Sequence, residues 1–114
     1  MPAPRIKRVY DEADAEDGLR ILVDRLWPRG ISKANARIDH WLKYVSPSDA
    51  LRKRFHARPE LWDEFRQAYR AELAESPALD NLRKLARHER VTLLYAARDT
   101  EHNNAVALAE ILKK

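Results

Sequence analysis

Residues 19–30 read LRILVDRLWPRG. The first half of this stretch decides the fold. Ile21, Leu22 and Val23 are consecutive and uncharged, which fits a strand covered on both faces, the usual state of a strand in a parallel sheet. A strand is therefore predicted over Leu19–Arg25. The run VTLLYAA at 91–97 has the same character and predicts a second buried strand. IKRVY at 6–10, short and carrying β-branched and aromatic residues, predicts a third.

Helical signals fill the space between the strands at 19–25 and 91–97, and one more follows the latter. Ser46-Pro47 sets a cap residue before a proline at the first helical position, and ALRKRF follows. Pro59 opens a segment in which Trp62, Phe65, Tyr69 and Leu73 share one helical face. Ser76-Pro77 repeats the cap signature ahead of Leu79, Leu82 and Leu85, in a helix ending near His88. A last helix carries Ala105, Leu108, Ala109 and Leu112 on its apolar face. Lys113 and Lys114 lie at its C-terminal end, where the helix dipole favours cations.

Strands separated by helices predict an α/β fold, with a small, mainly parallel β-sheet flanked by helices, in a single domain over residues 1–114. Residues 1–4 read as a frayed end. Two segments resist typing. DEADAEDG at 11–18 reads as one helical turn or a loop with little to bury, and IDHWLKYV at 38–45 mixes both periodicities.

The composition narrows the function classes. There is no cysteine, so disulfides, thiolate catalysis and thiolate zinc sites are excluded. The four histidines (His40, His56, His88 and His102) are scattered, and no two have ligand spacing, so no metal site is expected. With only Gly18 and Gly30, phosphate-loop and dinucleotide fingerprints are absent, and no cofactor is expected. The longest apolar run is far short of the ~20 residues a membrane span needs. MPAPRIKRVYD lacks the apolar core of a secretory signal, so a cytoplasmic location is the expectation.

The net charge of +4 hides a pattern. DEADAED at 11–17 carries five acids, whereas residues 20–58 carry ten bases against three acids, a net of +7. An excess of this kind points to an anionic partner, or to no more than a well-solvated surface.

The second half of the opening stretch, DRLWPRG, carries more than a turn requires. Pro28 and Gly30 suffice for the turn, yet Asp24, Arg25, Trp27 and Arg29 crowd around them. RDTEHNN at 98–104 leaves the other buried strand in the same way. Ligands of open parallel sheets bind at the carboxyl ends of strands, so parallel strands would bring both loops to one edge. That edge would gather Asp24, Arg25, Arg29, Arg98, Asp99, His102 and Asn103. Arginines there suit a phosphate or a carboxylate. Asp99 or Thr100 is expected to cap the last helix, whose free N–H groups attract anions. His102, in its first turn and three residues after Asp99, could form a carboxylate–imidazole pair for general acid/base work. Trp27 could stack on a ligand ring, although such aromatics are more often core. Asp24 could equally tie loops together, and Asp99 could only cap.

The blocks GLRILVDRLWPRGISK, WLKYVSPSDALRKRFH, WDEFRQAYRAEL and TLLYAARDTEHNNAVALAEIL resemble the domain of unknown function 488 family, in its short, YeaO-like group. The resemblance runs from about Ile6 to Leu112, and VDRLWPRG and RDTEHNNA are its specific parts. It implies an α/β fold and supplies no activity, although some members carry a label as transcriptional regulators. Longer relatives have a cysteine–histidine–arginine cluster where this chain has Glu101, His102 and Asn103, so only His102 carries over.

Three readings follow. In the first, the protein holds an anionic, phosphate- or nucleotide-like small molecule in an arginine-rich pocket. Arg25, Trp27, Arg29, Arg98 and Asn103 form its ligand-binding set, Arg25 and Arg29 clamp the anion, Asp24 orients them, and Asp99 with His102 handles protons. In the second, the basic segment 20–58 binds nucleic acid in a regulatory module. In the third, the chain is a non-catalytic partner-binding protein. The sequence carries no sign of its oligomeric state.

Overall fold

A computed structural model of the protein describes residues 4–113. Four strands form one sheet: β1 (Arg5–Arg8), β2 (Leu19–Leu22), β3 (His40–Trp41) and β4 (Val91–Tyr95). Their order is β1-β4-β2-β3, and every pairing is parallel. The two apolar runs of the sequence lie side by side at the centre, with Ile21 opposite Leu93 and Leu22 opposite Leu94. All five residues of β4 are buried. This is the parallel α/β sheet that the consecutive apolar residues predicted.

The strands are shorter than the hydropathy runs. Val23 still donates its N–H to the Leu94 carbonyl at 3.1 Å, but beyond it the chain turns away. β4 likewise ends at Tyr95 and β1 at Arg8. Apolar runs report burial, and burial continues for a residue or two after ladder pairing stops.

Helices α2 (Asp49–Ala57), α3 (Trp62–Glu72), α4 (Pro77–His88) and α5 (Asn104–Leu112) cover one face of the sheet. Ile21, Val23, Leu93 and Tyr95 meet Phe65, Tyr69, Leu82 and Leu108 there. Trp62, placed on the apolar face of α3 by its spacing, is half-buried at the margin of this core. The opposite face carries a much smaller cluster of Val9, Leu22 and Leu94, lidded by Trp27, Ile31, Ile38 and Trp41. Only one helical turn, α1 (Lys33–Ala36), lies in the segment that covers it.

The connections after β1 and β2 pass over the thinly covered face, and the one after β3 returns over the helical face, as the rule of like-handed crossovers requires when the chain reverses its direction across a parallel sheet. At their C-terminal ends, β2 and β4 therefore send their chains to opposite sides. Such a divergence opens a crevice in parallel sheets.

Two helix starts differ from the sequence reading. Ser48 caps α2, accepting the Leu51 N–H at 3.2 Å, so the SPS triplet is used at its second serine. Ser46 is instead buried and closes a 3-10 turn over Lys43–Val45. Asn103, not Asp99 or Thr100, caps α5, accepting the Val106 N–H at 3.0 Å. His102 therefore precedes that helix. Ser76 caps α4 as expected.

Of the two untyped segments, 38–45 supplies β3 and the 3-10 turn. The acidic segment holds a 3-10 turn, Ala15–Asp17, closed by Gly18. Residues 1–3 of the expected frayed end, and Lys114, lie outside the described residues.

Candidate functional site

Asp24 is the first residue past the buried strand, so its side chain falls at the C-terminal ends of β2 and β4. One carboxylate oxygen accepts the Ala96 N–H at 2.9 Å, and the other accepts Asn104 Nδ2–H at 3.0 Å. The same Asn104 nitrogen donates to the Val23 carbonyl at 2.9 Å. Asp24 thus joins the DRLWPRG loop, the exit of β4 and the first turn of α5. Its own carbonyl accepts Trp41 Nε1–H at 2.8 Å, which adds β3 to the junction. Burial pushes the Asp24 carboxyl above its ordinary value, against the opposing pull of Asn104, Ala96 and the Arg52 guanidinium.

Two arginines stand beside it. Arg25 reaches back across the α2 entrance, with Nε 3.4 Å from the Pro47 carbonyl and 3.7 Å from Asp49 Oδ1. Arg52, one turn into α2, places Nη2 3.3 Å from the same Asp49 oxygen. Two cations therefore share one carboxylate. Arg52 Nε is buried and has no acceptor among the described residues. Below them Tyr69 is fully buried and donates its hydroxyl to the Val45 carbonyl. Burial, and then the Asp24 and Glu72 charges, push that phenol far above its ordinary value, so it stays a proton-bearing donor. Glu72 accepts from the Ser48 N–H at 2.9 Å and the Ser48 hydroxyl at 2.6 Å, which fixes the loop that presents Arg52.

The other residues singled out in the sequence are placed as follows. Trp27 donates Nε1–H to the Ile31 carbonyl at 2.7 Å and packs edge-on against Trp41, with ring centroids 5.4 Å apart. Arg29 is exposed and accepts the Tyr10 hydroxyl on its carbonyl at 3.0 Å. Arg98 is exposed. Asn103 is buried by its capping role and donates Nδ2–H to the Asp99 carbonyl at 2.9 Å. Asp99 accepts the N–H groups of Glu101 and His102 at 2.9 and 3.0 Å, and these two bonds hold its carboxyl below the ordinary value. His102 Nδ1 lies 3.4 Å from Asp99, with both side chains about half exposed, and its ring packs on Trp62 at 5.0 Å.

The strand ends thus bring Asp24 and Arg25 together with Asn104 and Arg52, two residues the sequence reading did not select. Among the described residues, no group of three or more histidine, aspartate and glutamate side chains is placed to hold a metal. No helix among them is long and apolar enough to cross a membrane.

A family described as the inactive DUF488-N3 subclade matches residues 4–114. The chain belongs to this DUF488-N3i family. It is 47% identical over 108 residues to the uncharacterised protein YeaO of Escherichia coli (strain K12), covering 94% of each chain. It is 45% identical over 108 residues to an uncharacterised protein of Mycobacterium tuberculosis (strain H37Rv), covering 95% of this chain and 92% of the relative. No solved structure matches it.

Within this family member, the two overlooked residues had different visibility. The pair Asn103-Asn104 is readable only once the helix start is fixed, because the first asparagine caps and the second turns back to the strand end. Arg52 carried no local signal, since ALRKRF offers three bases and only the path of α2 selects one.

Proposed function

We propose that the protein binds a small anion, phosphate- or nucleotide-like, at the C-terminal ends of β2 and β4, and holds it without turning it over. The observation that carries this reading is the convergence of Arg25 and Arg52 on the single Asp49 carboxylate, with the buried Arg52 Nε–H, like those of Arg66 and Arg83, lacking an acceptor among the described residues. A buried donor left unmade costs about 1–3 kcal/mol, and an anion oxygen would satisfy it. Arg25 supplies the second cation. Asp24 does not face the ligand as a base, because both its oxygens are spent on Ala96 and Asn104; it positions the loops. Arg29 and Arg98, exposed on the same two loops, form the rim.

The description of the family as inactive supports binding without chemistry. So does the exposure of the Asp99–His102 pair, which has no enclosed place for a reacting atom. A small anion is favoured over nucleic acid because, outside the proposed site, Arg20, Arg54 and Arg58 of the basic segment are already paired with acids and leave no continuous free stripe.

Calorimetric titration with inorganic phosphate, pyrophosphate and a nucleoside monophosphate tests the reading. Arg25→Ala and Arg52→Ala should each weaken binding about tenfold or more. Arg29→Ala and Arg98→Ala should weaken it only a few-fold. Equal affinity in wild type and in the Arg25→Ala/Arg52→Ala double variant would sink it.

A further inference from the structure

The thinly covered face of the sheet holds a second, separate feature. An open groove of about 410 Å³ runs between the segment leaving β1 and the segment around α1. That volume falls within the range of small-molecule sites, about 300–1,000 Å³. One wall carries acids, Asp11 and Glu12, and the other carries Ser32, Asn35 and Arg37. The two acids differ in freedom. Asp11 accepts the Arg8 N–H at 3.1 Å, whereas Glu12 is tied through its carbonyl, which accepts Lys7 Nζ–H at 2.6 Å.

Arg20 also lines the groove. It is 6% exposed, and its guanidinium is fixed by Nε to the Arg37 carbonyl at 2.9 Å and by Nη1 to Asp17 at 2.6 Å. Nη2 takes part in neither bond. Arg37 holds a left-handed backbone, φ 50°, the one non-glycine residue among those described to do so. Such a conformation costs about 1–3 kcal/mol and persists where the surroundings impose it. The Arg20 bond to its carbonyl is one of the contacts that hold it, and Arg37 lines the groove.

The groove therefore offers a cationic side and an anionic side within one small volume. We propose that it binds a small zwitterion of the α-amino-acid type, with the carboxylate at Arg20 and Arg37 and the ammonium at Glu12 and Asp11. This site is distinct from the strand-end anion site and does not rest on it.

Backbone amide NMR titrations with free amino acids test it, using the N-acetyl and methyl ester forms of the same compounds as controls. The zwitterions should shift the Gly30, Ile31, Ser32 and Asn35 amides, and loss of either charge should weaken binding about tenfold. Glu12→Gln should weaken the zwitterion and leave the N-acetyl form unaffected. Arg37→Gly, which fits the left-handed backbone and so keeps the fold, should weaken the zwitterion and leave the ester unaffected. The proposal is overturned if no compound shifts these amides, if the shifts fall elsewhere, or if the acetylated and esterified forms bind as well as the zwitterion. Inorganic phosphate, added alone, should leave the Ser32 and Asn35 amides in place, so failure at one site does not carry over to the other.

Discussion

The two faces of the sheet solve burial in opposite ways. The helical face gathers seventeen buried apolar residues, and the other gathers three. With so little apolar material, the second face is completed by polar groups. Asp17 is fully buried there and holds Arg20 at 2.6 Å, Lys7 at 3.2 Å and Arg5 at 3.4 Å. Its carbonyl also accepts the hydroxyl of buried Thr92 at 2.7 Å. One face is therefore stabilised by non-directional packing, which tolerates volume-conserving exchange. The other depends on charges and turns whose geometry is not interchangeable. The irregular face also carries the open groove, which lies between the segments that leave β1 and β2.

The sharpest break of this comparison is at Gly18, where the acidic turn passes into β2. Its φ of 65° is in the region that favours glycine, and an added Cβ would collide with the Arg90 carbonyl oxygen. That oxygen already accepts the Leu19 N–H at 2.9 Å and cannot withdraw without losing the first bond of the strand. Gly18→Ala should cost roughly 3–5 kcal/mol, read as a lowered urea midpoint. A midpoint close to wild type would show that the polar face can yield as the helical face does.

Next in size is Asp17→Asn. Removing the carboxylate leaves Arg20 and Lys7 without their shared partner, a loss of about 3 kcal/mol, because one member of a buried ion cluster has been deleted. Burial alone would raise the Asp17 carboxyl; the Asp14 N–H, then Arg20 and Lys7, more than offset it and hold the group below its ordinary value of 3.8. A depressed folded pKa gives stability that is present above 3.8 and is lost as pH falls through the folded value. The difference between wild type and Asp17→Asn should therefore shrink on acidification below that point.

Asp24→Asn should cost less, about 1–2 kcal/mol, because one amide oxygen survives while the amide NH2 must face a donor, either Ala96 N–H or Asn104. Its pH dependence should have the opposite sign. Burial raises the Asp24 carboxyl above 3.8. The folded state then binds the proton more tightly than the unfolded chain, and wild type gains stability as pH falls from the folded value towards 3.8. The difference from Asp24→Asn should widen in favour of wild type over that window. Thermal midpoints measured from roughly pH 3 to pH 7 separate the two aspartates, and parallel curves would contradict the environments assigned to them.

The contrast between faces also explains what the sequence could disclose. Ile21–Val23 and Leu93–Tyr95 announce the sheet because its two central strands need apolar area on both faces, and area is written in residue type. Phe65 and Tyr69 announce α3 by spacing for the same reason. Asp17 was illegible: in DEADAED it looks like any solvated acid, and only the return of β1 and β2 beside it supplies Lys7 and Arg20. The strand-end region was half legible. Asp24 and Arg25 stand out in DRLWPRG, but Arg52 and Asn104 arrive through the paths of α2 and α5. The cap of α5 was misplaced because Asp99 and Asn103 are both good cap formers, and Asp99 makes a similar local turn with Glu101 and His102 that does not go on into a helix.

The smallest test returns to the loop that follows β2. Gly30 also has a positive φ, 77°, but nothing lies within 4 Å of a Cβ built there. Its cost on substitution is conformational alone, about 1–2 kcal/mol for an L-residue in that region. Gly30→Ala should therefore lower the urea midpoint by clearly less than Gly18→Ala does. Both glycines have a positive φ, but Gly18 also meets the Arg90 carbonyl whereas Gly30 meets nothing, so the excess effect at Gly18 reflects the closer packing of the irregular face at its inner end than at its rim. Gly30 also lines the groove, where the added methyl would occupy ligand space. Amino-acid binding should fall in Gly30→Ala while most of the stability is kept, whereas a loss of stability as large as that of Gly18→Ala would mean that the loop is as tightly packed as the start of β2.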